Sequence, residues 1–436
     1  MHILQVIHGY PPEYNAGSEN YTKTITKELI KRGHKVSVFS RLEDPFISEY
    51  KINIDETGEN NIGRYTINMA RTKDRFVSRA VDIFFEKLLL DLRPDIVHFE
   101  HLNHLSLSLP NIANKHGIPT IYTLHDFWLM CPRGQFLQMN LDGEPWKQCD
   151  GQDDSKCAKI CYSRYFGGNY NQTADEKYWT DWVHRRMNAV RESVNDIDVF
   201  ISPSKTVMDS FVDSFGQREK VVYLDYGFEL KKLSGRHRNP EDGSFVFGYI
   251  GTHIPAKGVK SLIEAFSKLR GKTILRIWGR EKSDYTPILR RYANSKGSEI
   301  AGRIQWMGEF NGDKIVEEVF DNVDCIVVPS IWLENSPLVI HEAQQARVPV
   351  LTADTGGMAE YVKDSQNGFL FKFRDVNSLT HEMEEIMRNP EIASSVGKRG
   401  YYYSQTGNVP SVADHVDTLL SIYRNMISKY RNRSKS

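Results

Sequence analysis

The stretch Ser330-Ile331-Trp332-Leu333-Glu334-Asn335-Ser336-Pro337-Leu338-Val339-Ile340-His341-Glu342-Ala343 holds the side chains best suited to chemistry. It follows Cys325–Pro329, an apolar β-branched run that reads as a buried strand, and it leads into a helical pattern. Pro337 suits the first turn of a helix, where its missing N–H costs nothing. The N–H groups of Leu338 and Val339 then face outward at a positive helix end, where a phosphate binds well. Glu334 falls just before that end and Glu342 about one turn inside it. One carboxylate can accept from a sugar hydroxyl and the other from a ribose diol, with phosphates between them. Taken alone, the same two glutamates would equally serve as a capping acid and a solvated helical face.

Other residues carry compatible chemistry. Gly251-Thr252-His253-Ile254-Pro255-Ala256-Lys257-Gly258 follows a strand, and Lys257 there is a sound point charge for leaving-group phosphates. Pro12-Glu13-Tyr14-Asn15-Ala16-Gly17 joins the first strand to the first helix, and Gly17 lets backbone approach a ligand. His125 ends the strand Thr120–Leu124, at the sheet edge where such folds bind ligands. Gly356-Gly357 reads as a loop where side chains would obstruct a diphosphate or sugar, and Arg280 after Gly279 as a border of the nucleotide. Each also has a plainer reading: a solvated lysine, a turn glycine, a polar strand end.

The elements that must position these residues come in two runs. Ile3–Ile7, Lys35–Phe39, Asp95–Phe99, Thr120–Leu124 and Asp198–Ser202 read as buried strands, with helical stretches such as Tyr21–Arg32 and Ser78–Leu92 between them. The pattern restarts with Phe245–Ile250, Thr273–Trp278, Arg303–Met307, Cys325–Pro329 and Pro349–Thr352. Strand–helix alternation implies parallel sheets covered by helices on both faces. The fold class is therefore α/β, with two Rossmann-like doubly wound domains, a ligand cleft between them and a C-terminal helix crossing back to the first. The expected limits are 1–228 for the first domain, with a Cys-rich insertion over about 131–175, and 229–408 for the second. The linker is the polar stretch Leu230–Gly243, and 409–436 forms the crossing helix and a short, solvated basic tail.

Composition narrows the function. Of 436 residues, Lys plus Arg number 56 and Asp plus Glu 56, so there is no basic excess for a protein devoted to nucleic acid. The N-terminal apolar run is short and meets Pro11-Pro12, unlike a signal peptide, and no run of about 20 apolar residues spans a membrane. A cytoplasmic protein is expected, with room for peripheral contact at the inner face of a membrane. Four of the five cysteines, Cys131, Cys149, Cys157 and Cys161, fall in the insertion. Four thiols can fill the tetrahedral shell of a structural zinc, although no Cys-x-x-Cys pair is present. An iron–sulfur cluster, and free thiols or a disulfide, are the other readings.

Ser330-x-Trp332-x-Glu334-x-x-Pro337, then Glu342-Ala343, Pro349-Val350, Gly356-Gly357 and Glu360 together strongly resemble the donor-site signature of glycosyltransferase family 4, and the likeness runs through nearly the whole chain. The resemblance implies the two-domain GT-B arrangement, retention of anomeric configuration, and a UDP- or GDP-sugar donor. It implies catalytic positions at His125, Lys257 and Glu334, with His125 bonded to the sugar. Donor contacts fall at Gly17, Thr252, Arg280, Asn335, Ser336, Pro337, Leu338, Val339, Glu342, Gly356 and Gly357. No cofactor is implied for catalysis. Two departures stand out: Thr252 replaces the usual arginine of the Gly-Arg-x-x-x-x-Lys-Gly segment, and Ala16-Gly17 replaces a frequent glycine pair. His125-Asp126-Phe127-Trp128-Leu129-Met130-Cys131-Pro132 resembles bacterial members with a cysteine-rich insert. The acceptor is expected to be a saccharide or lipid-linked saccharide of a cell-envelope or polysaccharide pathway, with the aromatics of Tyr162–Tyr178 either lining its site or packing internally. The competing functions are a non-catalytic sugar-nucleotide-binding or scaffold protein, and a sugar-nucleotide epimerase or phosphorylase.

Overall fold

The computed structural model describes residues 1–56, 62–70, 76–138, 146–167, 172–238 and 243–433. In chain order the strands are β1 (His2–Ile7), β2 (Lys35–Leu42), β3 (Ile52–Asp55), β4 (Gly63–Asn68), β5 (Ile96–Phe99), β6 (Thr120–Thr123), β7 (Leu137–Gln138), β8 (Lys147–Gln148), β9 (Val199–Ser202) and β10 (Val221–Tyr223). They continue with β11 (Phe245–Ile250), β12 (Thr273–Trp278), β13 (Ile304–Gly308), β14 (Cys325–Val328), β15 (Val350–Ala353) and β16 (Phe369–Phe371). The chain divides into two compact units, one of Met1–Gly134, Gly151–Gly227 and Val412–Ser436, the other of Gln135–Asp150 and Phe228–Ser411.

The first unit holds an eight-stranded sheet in the order β10-β9-β6-β5-β1-β2-β4-β3. Every neighbouring pair is parallel except the edge pair β3–β4. The second unit holds a six-stranded, wholly parallel sheet, β13-β12-β11-β14-β15-β16. Parallel strands covered on both faces must be apolar on both, which is why Ile3, Leu4, Val6, Ile7, Ile96, Val97 and Phe99 are all fully buried. The strands expected from the sequence are present. β3, β4, β10 and β16 are additional, and each is short, exposed or rich in polar residues.

Two expectations change. The insertion over 131–175 is divided: Gln135–Asp150, with the β7–β8 pair, groups with the second unit, where Arg374 donates to the Trp146 carbonyl. The remainder stays in the first unit and runs into the long helix Gln172–Asp196. Residues 429–433 of the expected basic tail are helical, and 434–436 lie outside the described residues. Helix Val412–Arg433 belongs to the first unit, where Tyr430 donates to Asp198 (2.8 Å) and Arg431 approaches Asp95 (3.4 Å). It packs on helix Gly17–Lys31, and Arg32 donates to the Ala413 carbonyl at 2.8 Å. No described helix is long and apolar enough to cross a membrane.

Candidate functional site

In the second unit, buried β14 delivers Ser330 into a loop that ends at helix Leu338–Gln345. Pro337 caps this helix rather than occupying its first turn (φ −64°, ψ 111°). The Leu338 and Val339 N–H groups open the helix, so neither has an intrahelical acceptor. Glu334 takes a left-handed backbone conformation, φ 50°. For a residue with a Cβ this costs roughly 1–2 kcal/mol and persists only where the surroundings impose it.

The glycines supply that constraint. The Gly357 N–H donates to the Leu333 carbonyl (2.9 Å), and a Cβ on Gly356 or Gly357 would collide with the Leu333 or Asn335 carbonyl. Their close approach is thus to the backbone on either side of Glu334. They begin helix Gly356–Tyr361. A second clamp joins the Lys257 turn, since the Ile331 N–H donates to the Ala256 carbonyl at 2.9 Å. Gly258, at φ 71°, meets the Pro329 carbonyl where any Cβ would clash.

These clamps bring together two residues expected to act apart. Lys257 Nζ lies 2.6 Å from Glu334 Oε1, and Ser330 Oγ donates to the same oxygen at 2.6 Å. The ammonium also stands over the Trp332 ring, 5.5 Å from its centroid. Glu334 is buried while Lys257 is about a third exposed. Lysine is therefore not an isolated charge here; its neutral pair is open on the lysine side. Asn335 and Ser336 are buried beside it.

Glu342 is partly exposed, and burial among its neighbours pushes its carboxyl up to about 7, opposed in part by His341. A carboxylate at that value changes charge near neutrality. Thr252 accepts from the Tyr249 hydroxyl through its carbonyl (3.2 Å). Arg280 is exposed, its carbonyl held by the His253 N–H at 3.0 Å and its Nε 3.9 Å from Glu309.

In the first unit, Gly17 is exposed at the start of helix Gly17–Lys31, whose cap residue Ala16 makes no side-chain bond. His125 is enclosed. Its Nε2 meets Glu100 Oε2 at 2.9 Å and its Nδ1 meets the Tyr226 hydroxyl at 2.7 Å. Glu100 is wholly buried. Burial opposes its ionisation, but His98 and His125 beside it outweigh that and hold its carboxyl below the usual range. An ionised Glu100 only accepts, so Nε2 carries the imidazole proton, and the Tyr226 phenol donates to Nδ1. Both ring nitrogens of His125, expected from the resemblance to bond the sugar, are engaged within the unit. His98 extends the network to Tyr423 Oη (2.7 Å) and Thr123 Oγ1 (2.8 Å), and His415 joins Tyr21 Oη at 2.8 Å.

A second cluster was not read from the sequence. Glu19, in the first turn of its helix, meets His8 at 3.2 Å, and His8 packs edge-on to His101, 4.6 Å between ring centres. Burial would raise the Glu19 carboxyl, but its bond to His8 wins and holds it well below the usual range. Glutamate in a helical first turn is so common that spacing alone gave no signal.

The cysteines do not assemble as expected. Cys157 and Cys161 lie in an apolar cluster with Tyr162, Trp179, Trp182 and Met187, as small hydrophobes do. Cys149 groups with the second unit and the other three with the first. All five cysteines are thiols, and among the described residues no three His, Cys, Asp or Glu side chains could hold a metal ion. Tyr162 stacks on Trp179 and Tyr165 lies against both, so these aromatics pack internally.

Two Rossmann-like parallel sheets, one carrying a lysine–glutamate pair beside a helix N-terminus, define a nucleotide-sugar type of GT-B protein. Residues 16–232 match the model of Glycosyltransferase Family 4, and residues 233–403 match that of Glycosyl transferases group 1. The chain belongs to this glycosyltransferase family. It is similar to an uncharacterized 42.6 kDa protein in the cps region of Klebsiella pneumoniae, at 22% identity over 88% of this chain and 94% of that protein. It is 29% identical to D-inositol 3-phosphate glycosyltransferase of Mycolicibacterium smegmatis over 44% of this chain and 43% of that one. For most of these curated relatives the match spans only about half of their length. Among solved structures, Anabaena Alr3699/HepE in complex with UDP and glucose shares the fold, with TM-score 0.64 and 15% identity over 97% of this chain and 99% of that one.

Proposed function

We propose that the protein transfers a sugar, with retention, from a nucleotide-diphosphate sugar to a hydroxyl of a saccharide or lipid-linked acceptor. The observation that carries this reading is the Lys257–Glu334 pair held beside the open N-terminus of helix Leu338–Gln345. A buried carboxylate in a left-handed residue, clamped by two glycines, is strain of the kind found at functional sites. The UDP found with the Anabaena structure makes UDP-sugars the first donors to test.

In this scheme the arriving diphosphate draws the Lys257 ammonium from Glu334. Glu334 is then freed to accept from a sugar hydroxyl, and the Leu338 and Val339 N–H groups add dipolar charge. Asn335, Ser336, Gly356 and Gly357 fix the loop, Glu342 takes the ribose diol, and Thr252 and Arg280 border the nucleotide. The acceptor attacks from the face the diphosphate leaves, and the diphosphate takes its proton while Lys257 stabilises the growing negative charge. No step passes through a metal. Gly17 and His125 keep the roles the family resemblance implies, with one amendment. A sugar hydroxyl reaching His125 Nδ1 would displace the Tyr226 hydroxyl, so His125 acts first as a rigid surface set by Glu100.

The relatives named for a cps region and for capsular polysaccharide biosynthesis support a capsular glycan setting, and work at the inner face of a membrane is part of the proposal. Thr252 in place of arginine keeps a binding-only protein as the second reading. Nucleotide release from a panel of UDP- and GDP-sugars, with mass spectrometry of the product, decides between them. Turnover with one donor supports transfer, whereas saturable binding without release from any donor leaves the binding protein.

A further inference from the structure

The first unit contains a pocket of about 70 Å³ apart from the His125 network. It is walled by Tyr10 and Glu13 before the first helix, Ser40 and Arg41 at the end of β2, Asn53 and Asp55 on β3, and Arg64 and Thr66 on β4. Two features of it are unusual.

The first is its cations. The Arg41 side chain is wholly buried, and its Nη1 donates to the Met69 carbonyl at 2.8 Å and lies 3.3 Å from Glu43. Its guanidinium stands over the Tyr14 ring, 5.6 Å from the centroid. Arg64 repeats the arrangement, with Nη2 at 2.8 Å from Glu13 and its guanidinium 5.6 Å from the Tyr10 ring centre. In both arginines Nε is buried without an acceptor. Each such donor costs about 1–3 kcal/mol unless something in the pocket completes it.

The second is the inverted polarity of β3. Asn53 and Asp55 line the pocket while Ile52 and Ile54 are 39% and 54% exposed. Asn53 is itself exposed and Asp55 half-buried, so the polar side chains form an open rim of the pocket.

Charge selects the occupant. Arg41 and Arg64 are balanced by Glu13 and Asp55 among the lining residues, which disfavours a phosphate or other strong anion. Alternating donors and acceptors match vicinal hydroxyls of a pyranose, and the volume admits one edge of such a ring. We propose that this pocket is a subsite for a neutral, hydroxyl-rich saccharide unit of the acceptor. It rests on the glycosyltransferase reading for the word acceptor alone.

The experiment is saturation-transfer NMR on the full chain with methyl α-glucoside, α-mannoside and α-galactoside, then with glucuronate and inorganic phosphate. UDP binding is measured in parallel. Wild type should take saturation transfer to at least one neutral glycoside, and Asp55→Ala and Arg64→Met should each weaken it about tenfold or more. UDP affinity and circular dichroism should stay unchanged. No neutral glycoside bound, binding of the anions alone, or equal binding in both variants would overturn the proposal. Loss of UDP binding in wild type would strike the donor reading and leave the glycoside result standing.

Discussion

The two units place carboxylates beside basic side chains in opposite ways. In the first, Glu100 is sealed between two imidazoles, and His125 spends both ring nitrogens on internal partners. In the second, Lys257 and Glu334 form a pair whose lysine side faces solvent. A sealed network can hold shape but cannot exchange partners without exposing a buried charge. A half-open ion pair can exchange its partner for a ligand of the same sign at small cost. On the proposed function, the first arrangement supplies rigidity and the second captures the donor.

The largest effect that would test this contrast lies at Lys257. Lys257→Ala should lower kcat/KM for donor turnover by about 10²–10³-fold, while unfolding stability falls by about 1–3 kcal/mol as the buried Glu334 loses its cation. Nucleotide-release kinetics and a melting curve read the two, and a large stability loss with little kinetic change would reverse the assignment.

Glu100→Gln should do the converse first. It should remove about 2 kcal/mol of stability at neutral pH, because the buried His125 N–H loses a charged acceptor. Since the folded carboxyl lies below its usual value, this stabilisation is present above the ordinary carboxylate range and fades as pH falls through the folded value. Wild-type and variant melting curves should therefore converge in acid.

A smaller effect concerns Glu342, whose carboxyl is pushed up to about 7. Below that pH it is protonated and accepts poorly from a ribose diol, so donor KM should rise by several-fold on going from pH 8 to 6. Glu342→Gln should flatten this profile, and a slope that survives the change would place the titrating group elsewhere. The smallest expected effect is from a chelator: overnight treatment with EDTA should shift neither the melting temperature nor turnover, whereas a drop would restore a structural metal.

Much of the frame was legible in the residues. Apolar β-branched runs marked the principal strands of both sheets, and the spacing from Ser330 to Glu360 marked the segment proposed to hold the donor. What escaped was contact. Gly356-Gly357 was visible as a close-approach point, but its partner, the Leu333–Asn335 backbone, was not. The cysteine spacing suggested ligands, yet Cys157 and Cys161 sit among Trp179 and Trp182, where burial of small apolar surface explains them. β3 was missed because it is a four-residue edge strand, too short for its alternation to stand out from a polar surrounding.

The sequence by itself determined two doubly wound units and the residue types of the Glu334–Glu342 segment. Both follow from local order, namely strand and helix periodicity and the placement of proline and glycine. Only the tertiary structure decided that Lys257 neutralises Glu334 across 77 positions, and that Glu100 fixes the His125 tautomer across 25. A side chain's charge and hydrogen-bonding capacity are written in its type, but its partner is set by which strands lie side by side.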